Sequence, residues 1–324
     1  MFREVLVPLD GSPIGEDAIP VAAAIASRHK SRLHFVTVSR PVVLTTAFPL
    51  TPEIPLDACV ELDQIAREQL AEYVRRWADT IARAEGIAIR DEVLDGTGPV
   101  AEQLFQYADH HHVDLIVMHT HARGVVGRIW LGSVANALVQ RGGIPCLLLR
   151  GPAAGAEPAQ PVLPLKPKRI LVPLDGSDDA ELGVDFGMAM AVKGVTELRL
   201  LGVVNPLPFP ADMLDREALL EQRTATDRYL ARASERVAKS GIPVQTESVV
   251  HSDSATAILE CVARHDIDLV SIAAPQRGAA DRMFLGSVID FLLRRSRIPM
   301  LVWRNRALAG TTLLPVRQEP MAGA

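Results

Sequence analysis

The chain has 324 residues, of which 48% are hydrophobic and 23% are charged, and its net charge is −5. This length predicts two domains of ordinary size, and the mildly acidic balance argues against a nucleic-acid binder, which normally carries a basic patch. No apolar run reaches the roughly 18 residues that a bilayer span needs. The first residues show no signal-peptide pattern and the three cysteines are scattered, so we expect a cytoplasmic protein.

Strands and helices alternate along residues 1–150. An apolar strand at Val5–Leu9 comes first, and Ser12 with Pro13 then starts an alanine-rich helix that continues through Ile14–Lys30. The later elements are a strand at Leu33–Val38, a helix at Cys59–Glu85 ended by Gly86, a strand at Ile87–Val93, a helix at Pro99–His111, a strand at Val113–Met118, a helix at Leu131–Gln140 and a strand at Cys146–Leu149. This order predicts a parallel sheet with helices on both faces.

The same module occurs a second time. The segment VLVPLDGS at residues 5–12 recurs as ILVPLDGS at 170–177, an offset of 165. The tetrapeptide LGSV at 131–134 recurs at 285–288, and the Ile-Pro pair at 144 recurs at 298, both at an offset of 154. Three anchors in the same order indicate a duplicated domain.

The spacing of the anchors predicts the domain boundaries. We expect a domain at 1–150, a proline-rich linker at 151–167, a second domain at 168–304 and a loose tail at 305–324. The first copy is longer mainly because of Pro41–Asp57, which has four prolines and reads as a long surface loop. Its role does not follow from the sequence.

Polar and small residues follow the strands at one edge of the predicted sheet. In open parallel sheets, ligands bind beyond the carboxyl ends of the strands, at the point where the strand order switches. Six residues fall at or just beyond such ends, namely Asp10, Val38 and His119 in the first copy and Asp175, Val203 and Ala273 in the second.

The turn Asp10-Gly11-Ser12 has two interpretations. Gly11 and Ser12 suit a turn and a helix cap, and that interpretation does not need Asp10. A functional Asp10 would accept a ribose hydroxyl or face a metal held by phosphates. The residues alone favour neither interpretation.

The segment from His119 to Ser133 leads from a strand to a helix that opens with Gly132-Ser133. Backbone N–H groups at a helix start, with a serine hydroxyl, form a natural phosphate cradle. Arg123 and Arg128 add positive charge nearby. The alternative is an ordinary loop in which Ser133 serves only as a cap.

These segments resemble the universal stress protein family, over nearly the whole chain outside the linker and tail. Its members have a strand that ends in an Asp-x-Ser turn and a Gly-x-x-Gly motif followed, nine residues later, by Gly-Ser or Gly-Thr. The resemblance implies two Rossmann-like domains of the adenine-nucleotide alpha hydrolase type, each an open five-stranded parallel sheet. It also implies a cytoplasmic, ATP-binding sensor or regulator of the stress response, with Mg²⁺ as an optional companion of ATP held beside Asp10.

The resemblance implies a set of nucleotide-binding residues. In the first copy they are Pro8, Asp10, Val38, Met118, His119, Ala122, Arg123, Gly132, Ser133 and Val134. The weaker set in the second copy is Asp175, Val203, Gly286, Ser287 and Val288. His119 and Ala122 stand where the motif has glycines, and the second copy has Ala273 and Gln276 there, beside Pro275. Because that proline removes a backbone donor, we expect ATP mainly in the first domain.

Several alternatives stay open or are disfavoured. An interaction module that binds no nucleotide is one rival, and a slow ATPase is another. An adenylyl transferase would need a phosphate motif that is missing after the first strand. No P-loop, no serine-hydrolase elbow and no general base is present, so we assign no catalytic residue. His110–His112 ends a helix and predicts no metal site.

The predicted fifth strands suggest an assembly. Cys146–Leu149 and Met300–Trp303 are edge strands that need partners. They pair either with each other within one chain or between two chains of a homodimer.

Overall fold

The computed structural model describes residues 2–40, 56–120, 132–150, 166–206, 216–274 and 286–305. Most of the predicted Pro41–Asp57 loop lies outside these ranges, as do most of the linker and nearly all of the tail. Five loop residues named above also lie outside them, namely Ala122, Arg123, Arg128, Pro275 and Gln276.

The first half follows the predicted order of elements. These are β1 (Glu4–Pro8), α1 (Pro13–Glu16), α2 (Ala18–His29), β2 (Arg32–Ser39), α3 (Leu56–Glu85), β3 (Ile89–Asp95), α4 (Val100–His110), β4 (Leu115–Thr120), α5 (Ser133–Arg141) and β5 (Cys146–Arg150).

The second half repeats this order. Its elements are β6 (Arg169–Leu174), α6 (Asp178–Met190), β7 (Glu197–Val204), α7 (Arg216–Lys239), β8 (Val244–Val250), α8 (Ser254–Arg264), β9 (Leu269–Ala274), α9 (Ser287–Arg295) and β10 (Met300–Arg304).

Two predicted element boundaries in the first half need correction here. The alanine-rich helix is interrupted at Asp17, so it forms the short α1 and the longer α2. The third strand begins at Ile89 rather than Ile87, because Ile89 is the first residue to pair with β2, opposite Leu33. Gly86 adopts a φ of +67°, a left-handed conformation that suits glycine at the end of α3.

The strands form one ten-stranded sheet in the order β3-β2-β1-β4-β5-β10-β9-β6-β7-β8. Within each half all pairs are parallel, and the strand order switches between β1 and β4 and between β6 and β9. The predicted α/β class is therefore confirmed. The two five-stranded sheets are joined edge to edge rather than separate.

The junction between the halves is the antiparallel pair β5–β10. Leu147 lies opposite Leu301, and the flanking pairs are Cys146 with Val302 and Leu148 with Met300. At the repeat offset of 154, Met300 is the equivalent of Cys146 and Val302 is the equivalent of Leu148, so the two flanking pairs are equivalent to each other. A pseudo-twofold axis therefore passes between the two leucines. Of the two assemblies that the sequence allows, the structure shows the intramolecular one.

The hydrophobic core forms two layers, one on each face of the sheet. One layer lies under α2, α3, α6 and α7, the other lies under α4, α5, α8 and α9, and each runs through both halves. At the contact between halves, the rings of Phe2 and Phe186 stack with centroids 6.5 Å apart. Arg28 also donates to the carbonyl of Met190 at 2.8 Å. The halves therefore share one continuous core.

The longest described helices, α3 and α7, carry charged residues along their whole length. None of the described helices combines the length and the apolarity that crossing a bilayer requires.

Candidate nucleotide-binding site

The site in the first half lies where β1 and β4 end beside each other. Pro8 is the last residue of β1 and pairs with Val36 of β2, and Asp10 follows it, exposed to solvent. Thr120 ends β4, and α5 starts at Ser133. The strand order switches between β1 and β4, so this edge is where a parallel sheet binds its ligand.

The Asp10 carboxylate is part of the turn that starts α1. Its Oδ1 accepts hydrogen bonds from the backbone N–H of Ser12 at 3.0 Å and from the Ser12 hydroxyl at 2.6 Å. The Ser12 Oγ in turn accepts from the N–H of Gly15 at 3.1 Å. The cap interpretation thus explains Asp10 as well, contrary to the sequence expectation. A ligand would meet an aspartate whose orientation is already fixed.

The second half builds the same turn around Asp175. Its Oδ1 accepts from the N–H of Ser177 at 3.0 Å and from the Ser177 hydroxyl at 2.6 Å. The following helix differs, because the first turn of α6 carries Asp178, Asp179 and Glu181, whereas the first turn of α1 has only Glu16. The added negative charge opposes an anionic ligand beside Asp175.

A tyrosine from α3 lies next to the first turn. Burial, followed by the negative charges of Glu16 and Asp10, raises the pKa of Tyr73 above its usual value. The indole N–H of Trp77 donates to Glu16 at 3.3 Å. Trp77 thus orients Glu16, and the carboxylates of Glu16 and Asp10 give the side near Tyr73 a negative charge.

The end of β2 forms the other side of the site. Val38 is partly exposed, and the Ser39 carbonyl accepts the N–H of Gly96 at 2.7 Å. A Cβ on Gly96 would lie 2.3 Å from that carbonyl oxygen and 2.9 Å from the Val38 side chain. Only glycine lets the chain after β3 approach β2 so closely. Gly96 is therefore a site residue that the sequence analysis did not name.

The corresponding position in the second half is His251. Its N–H donates to the carbonyl of Val204 at 3.0 Å, while its Nδ1 accepts the N–H of Asp253 at 2.9 Å. The second half thus carries an imidazole at a position where the first half has no side chain. The sequence alone could have revealed this difference between the halves. The offset of 155 that relates Gly86 to Gly241 also relates Gly96 to His251.

His119 lies inside β4, not in the loop as its sequence position suggested. It pairs with Leu149 and only 3% of its surface is exposed. Thr120 continues the strand opposite Arg150, so the ladder extends two residues beyond the predicted end. Met118 is also buried. His119 and Met118 are therefore buried residues of β4.

The start of α5 leaves room for a ligand among the described residues. Gly132 has a φ of −53°, and a Cβ built on it would meet none of their atoms within 4 Å. Ser133 is exposed and Val134 is partly exposed, and no acidic residue lies in the first turn. The first N–H groups of a helix have no partner within the helix and carry partial positive charge. This end of α5 can therefore accept phosphate oxygens.

The start of α9 differs although its sequence is similar. Gly286 has a φ of +88°, which only glycine adopts easily, and Ser287 and Val288 follow it. The first turn contains Asp290, which stands where α5 has Asn136. Asp290 accepts a hydrogen bond from Arg294 at 2.8 Å. This ion pair offsets part of the negative charge that Asp290 brings to the helix start.

Arg150 is a buried arginine near this edge that the sequence analysis did not name. It follows Leu149 at the end of β5, is buried, and pairs in register with Thr120. Among the described residues, neither its Nε nor its Nη2 has a hydrogen-bond partner, and burial lowers its pKa to about 10. It ends β5 next to Thr120, the last residue of β4. The sequence could have drawn attention to this arginine, because the repeat offset of 154 places another arginine, Arg304, at the same position of the second copy.

Comparison with known proteins gives a consistent assignment. The family model described as the universal stress protein family matches residues 1–150 and 166–304. A universal stress protein of Mycobacterium tuberculosis is 27% identical over 315 residues, covering 93% of this chain and 97% of that protein. One from Thermus aquaticus is 33% identical over 150 residues, which is 46% of this chain and all of that protein.

A solved structure agrees with the fold. The crystal structure of a universal stress protein from Archaeoglobus fulgidus covers 93% of this chain and 98% of its own, with a TM-score of 0.66 at 18% sequence identity. At this identity the likeness concerns the fold alone. It extends across both halves of the ten-stranded sheet.

Proposed function

The chain belongs to the universal stress protein family, and on that premise we propose that it binds ATP in its first half and regulates a stress response in the cytoplasm. The single observation that carries the proposal is the start of α5 at the strand-order switch. The helix follows β4 in the chain, β4 is one of the two strands at the switch, and among the described residues a Cβ on Gly132 would meet no atom within 4 Å.

The two ends of the proposed site suit different parts of the nucleotide. One end is a partly apolar surface with little side-chain bulk, formed by Val38, Ser39 and Gly96. Such a surface suits a flat base. The start of α5 supplies partial positive charge for phosphates. Asp10 lies at the end of β1, where it can accept a ribose hydroxyl or face Mg²⁺ beside the phosphates.

The two halves differ in three features of the proposed nucleotide site. The second half has His251 instead of Gly96, Asp290 instead of Asn136, and three acidic residues in the first turn of α6. Each change adds bulk or negative charge. We therefore propose one ATP per chain and a structural or partner-binding role for the domain at 168–304.

The regulatory role is a proposal built on the binding. ATP would contact the start of α5, to which the loop after Thr120 leads, so occupancy can alter the surface that this loop presents to a partner. An interaction module without nucleotide is the rival function, favoured by His119, which is bulky where the family motif has glycine. Slow ATP hydrolysis is a further alternative.

The test begins with nucleotide released from denatured protein, identified by chromatography, and with calorimetric titration of ATP. We expect one ATP per chain. The variant Gly132→Val should lose binding while staying folded, because its backbone angle suits any residue and the described neighbours leave space. Asp10→Asn should weaken binding while Oδ1 still accepts from Ser12. The matched variant Asp175→Asn should bind normally.

Two results would contradict the proposal. Absence of both co-purified nucleotide and calorimetric heat would favour the interaction module. Equal effects of Asp10→Asn and Asp175→Asn would contradict the asymmetry of the two halves. Release of inorganic phosphate from bound ATP would identify an ATPase, and release of pyrophosphate would identify a transferase.

A further inference from the structure

Three side chains of the second half converge beneath α8, away from the nucleotide-binding edge. Cys261 lies on α8 and His265 caps its C-terminus four residues later, so both face the same side of the helix. Glu247 projects from β8, which is the edge strand of the sheet. The candidate ligand atoms of these three residues all lie within 4.8 Å of one another. No other group of this kind occurs in the part of the chain that the structure describes.

We propose that Glu247, Cys261 and His265 bind a Zn²⁺-like divalent cation that clamps α8 to the edge strand β8. The ligand set offers one sulfur, one imidazole nitrogen and one carboxylate oxygen, which suits zinc. Two ligands four residues apart on a helix recur in zinc sites, because that spacing puts both on one face. The site is independent of nucleotide binding in the first half.

The geometry is close to that of a metal site. His265 Nε2 lies 2.9 Å from Glu247 Oε2, and Cys261 Sγ lies 3.9 Å from the same oxygen. Zinc bonds of about 2.0–2.3 Å place neighbouring ligands of a tetrahedron roughly 3.3–3.7 Å apart. Small side-chain rotations would therefore suffice. The cation would replace the thiol proton of Cys261 and the hydrogen bond between His265 and Glu247.

The second oxygen of Glu247 is already oriented. Arg264 donates from Nη1 to Oε1 at 2.8 Å, which turns Oε2 toward Cys261 and His265. Such outer hydrogen bonds to a ligating carboxylate are typical of metal sites. Cys261 is 1% exposed, whereas the side chains of Glu247 and His265 are 20% and 24% exposed. The ligands are thus held on one side and accessible from the other.

Two arginines oppose a cation, since Arg199 as well as Arg264 pairs with Glu247. Arg199 Nη1 lies 3.6 Å from Glu247 Oε2, but Arg199 also pairs with Glu197 at 3.5 Å. Binding exchanges one proton for Zn²⁺, so the charge of the cluster rises by only one unit. The fourth position would be filled by water, because three protein ligands leave a tetrahedral site open.

The first half offers a built-in control. The positions equivalent to Glu247, Cys261 and His265 are Glu92, Tyr107 and His111. A phenol replaces the thiol there, and Tyr107 shares a hydrogen bond with His34 Nδ1 at 2.9 Å instead. The sulfur ligand therefore exists only in the second half, and a thiolate signal would report that half alone.

The test is titration of the reduced full-length chain with Co²⁺, followed by displacement with Zn²⁺. We expect one equivalent of Co²⁺ to produce the near-ultraviolet thiolate-to-cobalt absorption band. Cys261→Ser and His265→Gln should abolish the band, while Cys59→Ser should keep it. Circular dichroism establishes that each variant is folded.

Thermal unfolding supplies an independent readout. Zinc should raise the midpoint of the wild-type chain and of Cys59→Ser, but not that of Glu247→Gln or His265→Gln. Absence of the cobalt band in folded wild-type protein would overturn the proposal. So would a band that survives in Cys261→Ser, since another thiol would then be the ligand.

Discussion

Gly96 and His251 occupy the same position in the two halves, and each donates its backbone amide to the carbonyl that ends the second strand of its half, at 2.7 Å and 3.0 Å. The shared hydrogen bond shows that the two positions correspond, although the His251 amide lies farther from its carbonyl. One of them carries a side chain and the other does not. The difference concerns the edge at which the proposed nucleotide base would lie.

Gly96→Ala should destabilise the protein. The added Cβ would lie 2.3 Å from the Ser39 carbonyl oxygen, and overpacking of this kind costs about 1–3 kcal/mol of the free energy of unfolding. Urea denaturation measures the loss. Gly98→Ala is the matched control, because among the described residues its Cβ would meet only Gln103 Nε2, at 3.7 Å. Equal stabilities of the two variants would contradict the close approach of Gly96 to β2.

Asn136→Asp should weaken ATP binding. The new carboxylate would stand in the first turn of α5, as Asp290 does in α9. A charge near a helix terminus changes the energy by roughly 0.3–1 kcal/mol, which raises the Kd about two- to fivefold. Calorimetric titration measures it, with adenosine as the control ligand because it has no phosphate. An unchanged affinity for ATP would mean that phosphates do not approach α5.

The same substitution separates binding from folding. An acidic residue in the first turn stabilises a helix, so Asn136→Asp should leave the denaturation midpoint unchanged or raise it slightly. A lower affinity that accompanied a lower midpoint would point to local unfolding rather than to charge repulsion.

Leu147→Ala and Leu301→Ala should destabilise the chain to a similar extent. The two leucines face each other at the junction of the halves and are 0% and 1% exposed. Truncation of a buried leucine costs about 2–5 kcal/mol. Ile65→Ala is the control, because Ile65 is 43% exposed on α3. A cost at one leucine only would contradict the pseudo-twofold environment.

Acidification should destabilise the first half through His34. Its imidazole is buried on β2, with Nε2 2.7 Å from the Glu4 carboxylate of β1 and Nδ1 2.9 Å from the Tyr107 hydroxyl of α4. Burial, the largest effect, lowers the pKa of His34; Glu4 acts in the opposite direction, and Arg90 and Arg32 reinforce the lowering. The unfolded chain therefore binds the proton more readily than the folded chain.

The sign of this pH dependence follows from the lowered pKa of His34. For a base whose pKa is lower in the folded state, stability is complete above the unfolded pKa, about 6.5 for histidine, and is lost as the pH falls below it. The His34→Gln variant lacks this proton uptake. Urea denaturation between about pH 7 and about pH 5 should therefore show a smaller loss of stability for His34→Gln than for wild type.

The control for this pH dependence is His110→Gln, because His110 is exposed at the end of α4. His29 and His111 also have lowered pKa values, chiefly through burial, so the His34 variant should remove only part of the dependence. A wild-type stability that rises on acidification through this range would contradict the prediction.

The sequence predicted the order of elements because each one depends on local chemistry. Ser12 caps α1 and Pro13 follows it at the first helical position, as expected from their side chains alone. The repeat predicted a second copy with the same order. The prediction that His119 lies in the loop after the strand was wrong. The end of a parallel strand depends on the neighbouring strand, and the pairing of His119 with Leu149 extends β4.

Features that depend on contacts between distant segments could not be predicted from the sequence. The need for glycine at position 96 arises from the carbonyl of Ser39, a contact across two strands. The cluster around Glu247 joins a strand to a helix, and only the spacing of Cys261 and His265 hinted at it. The choice between an intramolecular junction and a homodimer could not be made either, because both use the same strand edges.

The antiparallel pair β5–β10 also has an evolutionary consequence. Two separate chains that met through this edge would be identical, so any substitution would alter both ligand sites at once. Here the partners are encoded by one polypeptide and remain in a fixed ratio of one to one. Substitutions such as those at Asp290 and His251 can then accumulate in one copy while the other keeps the proposed ligand site. The covalent link turns a symmetric pair into a permanent pair of unlike partners, one of which is free to specialise.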